Sequence, residues 1–412
     1  MIKKQMRNLT KQIKKLSYKK QQNFITELIE VEESLSEVKL GYGCTEDQDL
    51  VNLSNHIRQK MQEIYHQPIT GKNAQYIPQL KQVQPDLLCC SVCTVDGKQF
   101  TVGSDQIYFT LQSTIKPFLY LMACKEQGSK VVHRHVGREP SGQAFNSFVL
   151  NRENIPYNPM INAGAITTAS LIKPYLRGQQ RFNYLVNKLK ESCYRTPEEK
   201  KAIKKQLKPE ESYLPLKIGF DYSTFMSEKE SSSRNTALAH FLNGEGVNGE
   251  HLTHDQVNQN LNLYTEACCI QTNINSAAVM AATIANGGVS PVSGLRFGEQ
   301  QHANSAIQLM FSCGMYDYSG NWACTVGLPS KSGVSGLVLA VVPKVMGIAF
   351  FSPPLDELGN STRAVEFYEW LAQEFKFNIF QALMSEKASE TFEYWRVRSG
   401  YPYEYPGSDY DE

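Results

Sequence analysis

Two pairs of strand-like segments lie far apart in the chain, and their separation limits the folds that the sequence can adopt. Residues 87–103 contain two runs rich in β-forming residues on either side of Asp96-Gly97, which predicts an antiparallel hairpin with a two-residue turn. Val334–Val342 and Val345–Phe351 are a second apolar pair, and residues 134–300 have mostly helical and loop patterns. The sequence therefore predicts an α/β (α+β) fold: an antiparallel sheet flanked by helices, with a helical subdomain inserted between the two halves of the sheet.

Changes in composition divide the chain into three regions. Residues 1–66 have helical patterning, residues 70–378 contain the predicted sheet, and residues 379–412 end in a stretch without an apolar period, which predicts partial disorder. Within the middle region, at about 189–215, a capped helix start at Thr196 leads into charges on nearly all helix faces. This segment is predicted to be a solvated, charged helical insertion.

The start of the N-terminal region is strongly basic. The first 26 residues contain eight lysines or arginines and no acidic residue, and their apolar residues recur at helical spacing. Two interpretations compete: a mitochondrial targeting segment, or the first helix of an oligomer-forming region. Targeting segments are typically rich in arginine and serine, whereas this one is rich in lysine and glutamine. The predicted location is intracellular, in the mitochondrion or the cytosol.

Charge and hydropathy argue against several classes of protein. The 42 basic and 41 acidic residues give a net charge of +1, which offers no reason to expect nucleic acid as a partner. No apolar run approaches the length of about 18 residues that a membrane span needs, so no membrane association is expected. The ten cysteines include two adjacent pairs and are not spaced like a secreted disulfide framework.

Ser113 and Lys116 lie one helical turn apart, followed by Pro117, a residue that is tolerated in the first turn of a helix. A helix that starts at Ser113 or Thr114 places the hydroxyl and the amine on one face, as in a serine nucleophile with a lysine base. A capping serine beside a solvated lysine would give the same pattern. Because S-x-x-K occurs four times in the chain, the choice depends on context.

Lys331-Ser332-Gly333 supplies that context. It precedes an apolar strand and matches the K-[ST]-G element that accompanies S-x-x-K in penicillin-recognising serine enzymes. The order of the two motifs favours an acyl-transfer enzyme in which backbone N–H groups of Ser113 and Val334 form an oxyanion hole. Lys116 must be neutral to accept a proton, so burial and a nearby cation are required, and Lys331 is the candidate cation.

Six longer blocks of sequence add to the evidence from the two short motifs. They are VGREPSGQAFN (136–146), PYNPMINAGAI (156–166), SEKESSSRN (227–235), AAVMAATIANGG (277–288), SCGMYDYSGNWA (312–323) and GLPSKSGVSG (327–336). Over about residues 70–378 the chain resembles the serine-dependent glutaminases, most nearly the eukaryotic kidney- and liver-type form. The resemblance implies a glutaminase catalytic domain with a β-lactamase/transpeptidase-like fold, which hydrolyses L-glutamine to L-glutamate and ammonia without a cofactor or metal.

The resemblance also implies roles for individual residues. Ser113 corresponds to the nucleophile and Lys116 to its base, and one of two active-site tyrosines, Tyr76 or Tyr316, relays the proton. The implied substrate-binding residues are Ser113, Asn162, Glu228, Asn235, Tyr264, Tyr316 and Val334. This set suits free L-glutamine, whose ammonium needs a carboxylate such as Glu228 and whose carboxylate needs amide or hydroxyl donors.

Two alternative functions stay open. A β-lactamase-like serine acyl hydrolase would share the two motifs, but the chain lacks the S-D-N element of that class. A non-catalytic, glutaminase-like scaffold that binds a ligand or polymerises is the second alternative. The complete set of serine, lysine, tyrosine and asparagine residues argues against a scaffold.

Residues 139–154, rich in small and polar residues, are predicted to form a mobile loop near the site. By resemblance this is the activation loop, which in eukaryotic family members couples phosphate and oligomer assembly to activity. Arg138 and Arg152 lie at its ends and are predicted to bind phosphate as bidentate donors; solvated arginines on an ordinary loop are the alternative. The predicted partners are L-glutamine and a second copy of the chain, in a homodimer or homotetramer, with inorganic phosphate as an activator.

Overall fold

A computed structural model describes residues 30–247 and 251–380 of the chain. The predictions for the basic N-terminal segment and for the C-terminal tail therefore lie largely outside the described residues. None of the helices within these two ranges is both long and apolar enough to span a lipid bilayer.

The main sheet contains six strands in the order β1-β3-β2-β9-β8-β7, and all neighbours are antiparallel. The strands are β1 Val38–Leu40, β2 Cys89–Thr94, β3 Gln99–Gly103, β7 Ser330–Ser332, β8 Leu337–Val342 and β9 Met346–Phe351. A second, three-stranded sheet has the order β4-β6-β5, with strands β4 Phe109–Thr110, β5 Ile218–Phe220 and β6 Ile270–Thr272.

Helices precede, connect and cover these sheets. They are α1 Gln48–Tyr65, α2 Pro78–Lys81, α3 Lys116–Gln127, α4 Ser129–Val132, α5 Asn162–Ser170, α6 Gln179–Ser192, α7 Pro197–Gln206, α8 Tyr222–Glu230, α9 Ser233–Gly244, α10 His254–Cys268, α11 Ile274–Ala285, α12 Gln300–Cys313, α13 Ser319–Thr325 and α14 Thr362–Glu374. Residues 30–36 are also helical.

The main sheet is buried on both faces. Along β2, Cys89 and Cys93 face the core formed with the helical subdomain, whereas Cys90 and Val92 face the core formed with α1 and α14. On the subdomain side, every residue of α11 is buried. Gly347 allows this helix to approach, because a Cβ at this position would lie 2.0 Å from a backbone nitrogen of α11. The predicted antiparallel sheet flanked by helices is confirmed.

Several boundaries differ from the sequence predictions for physical reasons. The loop of the β2–β3 hairpin has three residues, not two, because Gly97 donates to Thr94 O and adopts a φ of 88° before Lys98 resumes pairing. The strand predicted from Val334 begins at Leu337, after a turn at 333–336. The separate strand β7 contains the lysine of the K-S-G motif.

The N-terminal region is not purely helical, because β1 extends the main sheet by pairing with β3. The charged segment lies beside this edge strand: Ser212 donates its backbone N–H to Leu40 O at 2.7 Å, and Glu211 accepts from Thr45 at 2.9 Å. Helix α7 itself buries no residue, as the charge pattern predicted. The insertion is therefore solvated along its helix and docked at its C-terminal end.

The ten cysteines are free thiols in the structure, and eight of them are buried.

Candidate active site

The nucleophile turn connects the small sheet to helix α3. Strand β4 ends at Thr110, a 3₁₀ turn spans Gln112–Ile115, and α3 begins at Lys116 with Pro117 in its first turn. Ser113 therefore precedes the α-helix rather than starting it, which corrects the predicted helix start. Gln112 has a φ of 48°, a conformation that costs free energy for a side chain of this kind and is often found at functional sites.

Lys116 lies directly behind this turn and is fully buried. Its Nζ donates to Asn162 Oδ1 at 2.8 Å and to Met160 O at 3.2 Å. Within the described residues no hydrogen bond joins Lys116 Nζ to Ser113 Oγ. Burial lowers the pKa of Lys116 to about 8, because the charged ammonium loses its hydration. The amine therefore loses its proton far more readily than an exposed lysine, and its neutral form, which a general base requires, becomes the major form above about pH 8.

Lys331 is the second buried lysine of the site. Its Nζ donates to Gly314 O at 3.0 Å and Ser332 O at 2.8 Å and lies 4.4 Å from the ring centre of Tyr316. Burial, and then the charge of Lys116, hold the pKa of Lys331 well below its usual range. Burial is the largest cause of the low pKa of Lys116. The two buried ammonium groups repel each other, so the charge of either lysine disfavours protonation of the other. The role of Lys331 as the cation beside Lys116 stays a prediction.

The K-S-G turn packs tightly against the nucleophile turn. A Cβ on Gly333 would lie 3.0 Å from Leu111 O and 3.1 Å from the Thr114 methyl group, so only glycine fits without displacement. The next residue, Val334, lines the cavity in front of Ser113. Its N–H donates to no backbone acceptor in the described parts of the chain and is available to an oxyanion.

Tyr316 lies beside this turn in a left-handed conformation with a φ of 54°. Its ring contacts Phe145, with ring centres 5.0 Å apart. The hydroxyl is buried and makes no hydrogen bond of full geometry within the described residues. Burial raises the pKa of Tyr316, and the nearby Ser113 hydroxyl opposes that rise. The tyrosine is therefore a neutral hydroxyl close to the nucleophile.

The cavity in front of Ser113 has a volume of about 220 Å³, smaller than typical sites for drug-sized ligands. Of the residues predicted for the site, those that line it are Tyr76, Ser113, Asn162, Glu228, Asn235, Tyr264 and Val334. Lys116 lies behind them, and Tyr316 lines the adjoining cavity beneath the loop at 140–145. The structure thus brings the predicted residues together from elements far apart in sequence.

Glu228 is the one carboxylate of the described residues that lines this cavity, and two side chains orient it. Tyr76 donates to Glu228 Oε1 at 2.7 Å, and Gln112 donates to the same oxygen at 3.0 Å. Burial raises the pKa of Glu228, although both hydrogen bonds act in the opposite direction. Tyr76 is half exposed as a residue, but its hydroxyl end is enclosed, and this burial together with Glu228 raises its pKa.

The opposite wall presents amide and hydroxyl groups. Asn162 begins α5 and donates from Nδ2 to Asn235 Oδ1 at 2.9 Å. Its Oδ1 accepts from Tyr264 at 3.2 Å as well as from Lys116. The polar groups of this wall form one network with the buried lysine. The cavity thus offers a carboxylate at one side, hydrogen-bonding amides at another and a serine hydroxyl beside a low-pKa lysine.

Sequence reasoning missed Gln112, which positions Glu228, and Arg234, which lines the cavity and donates to Asn146 O at 3.0 Å. Two sequence signals could have identified them: Gln112 directly precedes the nucleophile, and Arg234 lies within the family block at 227–235. Within residues 30–247 and 251–380, no three histidine, cysteine, aspartate or glutamate side chains are grouped as metal ligands would be.

Sequence comparisons place the chain among known proteins. The glutaminase family model matches residues 71–214 and 198–380. Putative glutaminase 3 of Caenorhabditis elegans is 43% identical over 76% of this chain and 50% of its own length. The mitochondrial liver isoform of mouse glutaminase is 39% identical over 81% of this chain and 52% of its own length. The chain thus spans about half the length of these curated animal relatives.

Shorter relatives and solved structures agree with this placement. The glutaminase of Trichormus variabilis is 40% identical over 77% of this chain and 87% of its own length. The crystal structure of Mglu superposes with a TM-score of 0.68 at 31% identity, over 79% of this chain and 75% of Mglu. The probable glutaminase ybaS gives a TM-score of 0.67 at 32% identity, over 79% of this chain and 99% of ybaS. The chain therefore belongs to the glutaminase family and has the β-lactamase-like fold of its structural neighbours.

Proposed function

We propose that this protein hydrolyses L-glutamine to L-glutamate and ammonia through an acyl-enzyme on Ser113. The observation that carries the proposal is the pairing of a fully buried lysine, whose pKa falls to about 8, with a serine at the floor of a small polar cavity. Family membership supports the same reaction, because relatives of this chain bear the name glutaminase.

In the proposed mechanism Ser113 Oγ attacks the side-chain carbonyl carbon of glutamine while neutral Lys116 accepts the hydroxyl proton. Backbone N–H groups of Ser113 and Val334 stabilise the oxyanion. Collapse of the tetrahedral intermediate breaks the C–N bond, and the departing nitrogen takes the proton and leaves as ammonia. A water molecule then attacks the acyl-enzyme, which releases glutamate and restores Ser113.

Tyr316 is the better candidate for the proton relay. Its hydroxyl lies near Ser113 and has no competing hydrogen bond of full geometry in the described residues. Tyr76, in contrast, donates its hydroxyl to Glu228 at 2.7 Å. We therefore assign Tyr316 to proton transfer and Tyr76 to orientation of the carboxylate.

Recognition of the free amino acid is proposed to depend on Glu228, which pairs with the α-ammonium of glutamine. The α-carboxylate is assigned to the amide and hydroxyl wall formed by Asn162, Asn235 and Tyr264. No metal or organic cofactor is required by these steps.

The test is to incubate the purified protein with L-glutamine, L-asparagine, N-acetyl-L-glutamine and a chromogenic lactam, and to measure ammonia and ring opening. Ammonia from glutamine, formed in equal amount to glutamate, is expected to exceed that from the other amides by at least about tenfold. Ring opening without ammonia would instead indicate a β-lactamase-like hydrolase. No product from any substrate would indicate a non-catalytic scaffold.

We further propose a homodimer or homotetramer that is activated by inorganic phosphate. Gly137 donates to Pro156 O at 2.8 Å, so the two ends of the loop are held close together. Arg138 and Arg152, near these ends, are both exposed. The intervening loop contributes Phe145 and Asn146 to the cavity, so anion binding at its base could reach the substrate site.

The proposed location is intracellular, in the mitochondrion or the cytosol, and residues 1–29 are outside the described residues. A fluorescent fusion of the full chain, compared with one that begins at residue 30, distinguishes a targeting segment from an assembly segment. Mitochondrial import that requires residues 1–29 supports targeting, and an unchanged location with an altered oligomer size supports assembly.

A further inference from the structure

A second cleft, separate from the active-site cavity, lies where the charged insertion leaves and rejoins the fold. It is bounded by the C-terminal end of α6, the start of α7 and residues 213–218, and has a volume of about 430 Å³. It shares no lining residue with the cavity in front of Ser113. Two of its lining residues, Lys200 and Tyr213, lie within 198–214, where the two matches to the family model overlap.

Among the residues that the structure describes, four cations and no carboxylate line this cleft: the cations are Lys190, Arg195, Lys200 and Lys217. None of them forms an ion pair with a carboxylate within the described residues, whereas the neighbours Lys188 and Lys208 pair with Glu191 and Glu46. We call this group the basic cleft. Cations gathered around a concavity raise the local positive potential and attract anions.

The glutamates nearest to these four cations in the sequence either hydrogen-bond to other groups or do not line the cleft. Glu199 accepts from the Thr196 backbone N–H as part of a capping box. Glu211 accepts from Thr45 on the opposite side of the insertion. Glu198 and Glu210 are exposed and do not line the cleft. Asp96, whose charge acts on Cys93 together with that of Arg195, pairs with Lys98. No carboxylate of the described residues therefore forms an ion pair with the four cations of the basic cleft.

The position of Arg195 suits anion recognition. It is half-buried, and its charge opposes the rise in pKa that burial imposes on the Cys193 thiol at the cleft wall. A guanidinium held close to a wall can present its planar fork to a phosphate as a bidentate donor. Lys200 is held over the ring of Tyr194, with its Nζ 5.5 Å from the ring centre.

The rest of the lining is apolar or aromatic. Pro215, Leu216 and Ile218 contribute aliphatic surface, and Tyr194 and Tyr213 contribute two rings, of which Tyr194 is half exposed. Each ring has a lysine over one face, Lys200 at Tyr194 and Lys204 at Tyr213, so a ligand ring would stack on the opposite face. A volume of about 430 Å³ falls within the range of small-molecule sites. Cations at the rim and rings beside aliphatic surface suit a ligand that combines phosphates with a planar ring system.

We propose that the basic cleft binds a nucleotide-sized phosphorylated metabolite, with its phosphates on Arg195, Lys200 and Lys217 and its ring system against Tyr194 or Tyr213. This ligand is distinct from the glutamine substrate and from the phosphate proposed for the loop at 139–154. Occupancy of the cleft does not depend on catalysis at Ser113.

The test is isothermal titration calorimetry on the full chain with ATP, ADP, pyrophosphate and adenosine at constant ionic strength. Saturable one-to-one binding is expected for ATP and ADP, weaker binding for pyrophosphate, and none for adenosine alone. The double variant R195Q/K217Q removes two of the four cations and is expected to weaken ATP binding by at least about tenfold, which corresponds to about 1.4 kcal/mol. The affinity is also expected to fall as salt is raised.

The matched control is K201Q/K205Q, which removes the same charge from exposed positions of α7 that do not line the cleft. Its ATP affinity is expected to match that of the wild type, and circular dichroism checks that both double variants fold. Ser113→Ala is expected to bind ATP normally, so the result is separable from failure of the proposed glutaminase activity. Absence of saturable binding, equal losses in both double variants, or tighter binding of an RNA oligonucleotide or polyglutamate than of ATP would overturn the proposal.

Discussion

Lys116 gives up its proton more readily than an exposed lysine, because it is fully buried. Its hydrogen-bond partners, Asn162 Oδ1 and Met160 O, carry no net charge that would stabilise the ammonium. Ser113 and Lys116 were predicted from an i, i+3 spacing, and that spacing does bring both to one end of α3. The absence of a direct Ser113–Lys116 hydrogen bond could not be predicted, because it depends on the distant Asn162. Catalytic hydrogen bonds often tighten only when substrate is bound.

A pH profile tests the role of Lys116. Burial lowers its pKa to about 8, and the base must be unprotonated, so kcat is expected to increase as the pH rises through that value. At saturating glutamine the increase between pH 7 and pH 9 should be about tenfold, followed by a plateau. A kcat that is flat or falls over this range would show that Lys116 does not act as the free base.

Glu228 is expected to determine the preference for a free α-ammonium. Glu228→Gln keeps the shape but removes the charge, so kcat/KM for glutamine should fall about 10- to 100-fold, as expected for a lost charged hydrogen bond of about 1.5–3 kcal/mol. Activity on N-acetyl-L-glutamine should change little. The matched control is Glu230→Gln, an exposed carboxylate at the end of the same helix. Equal effects of the two substitutions on glutamine would argue against the assigned role.

Single residues of the site differ in how well the sequence identifies them. Glu228 in a charged run and Tyr264 in an amphipathic helix resemble solvated and core residues, and only their longer sequence blocks mark them as functional. The K-S-G motif identifies Lys331 from the sequence. The spacing of the motifs cannot show that Lys116 and Lys331 are both buried, and burial is the largest cause of the low pKa of each lysine.

At the scale of elements, the contact between the K-S-G turn and the nucleophile turn positions the reacting groups. Gly333→Ala would place a methyl group 3.0 Å from Leu111 O and 3.1 Å from the Thr114 methyl group, so one turn must shift. A misplacement of about 1 Å can reduce turnover by about 100-fold, and the shift that this methyl group requires is smaller. The expected result is a kcat reduced by up to about tenfold with little change in the melting temperature.

Gly320→Ala is the control for this substitution, because a Cβ on Gly320 meets nothing within 4 Å and the residue lies in helix α13. Alanine there should leave kcat unchanged and stabilise the fold by about 0.5–1 kcal/mol. Steady-state kinetics and thermal melting of both variants measure the two effects. An unchanged kcat in Gly333→Ala would show that catalysis does not depend on close contact between the K-S-G turn and the nucleophile turn.

The central strands and long helices follow from periodicity, whereas short elements do not. Strands β2, β8 and β9 have enough β-forming residues to be predicted within a few positions. The three-residue strand β1 and the small sheet of β4, β5 and β6 are stabilised by partners distant in sequence, so local patterns do not indicate them. The small sheet is functionally relevant, because β4 leads directly into the nucleophile turn.

For the whole molecule, phosphate response and assembly are expected to be linked through the loop at 139–154. Activity should rise with inorganic phosphate at fixed ionic strength, while light scattering shows a dimer or tetramer. Arg138→Gln should reduce the response, whereas Arg134→Gln, an exposed arginine outside the loop, should not. A monomer whose rate does not respond to phosphate would contradict this regulatory proposal and leave the catalytic one intact.

The most direct test of the central claim is ammonia release from saturating glutamine by the wild type, Ser113→Ala, Lys116→Ala and the double variant, with folding checked by circular dichroism. Because the two residues act as one unit, each single variant is expected to lose nearly all turnover, and the double variant should be little worse than either. Rapid acid quench and peptide mass analysis should find a glutamyl group only on the peptide that contains Ser113. Turnover by Ser113→Ala close to that of the wild type would contradict the account.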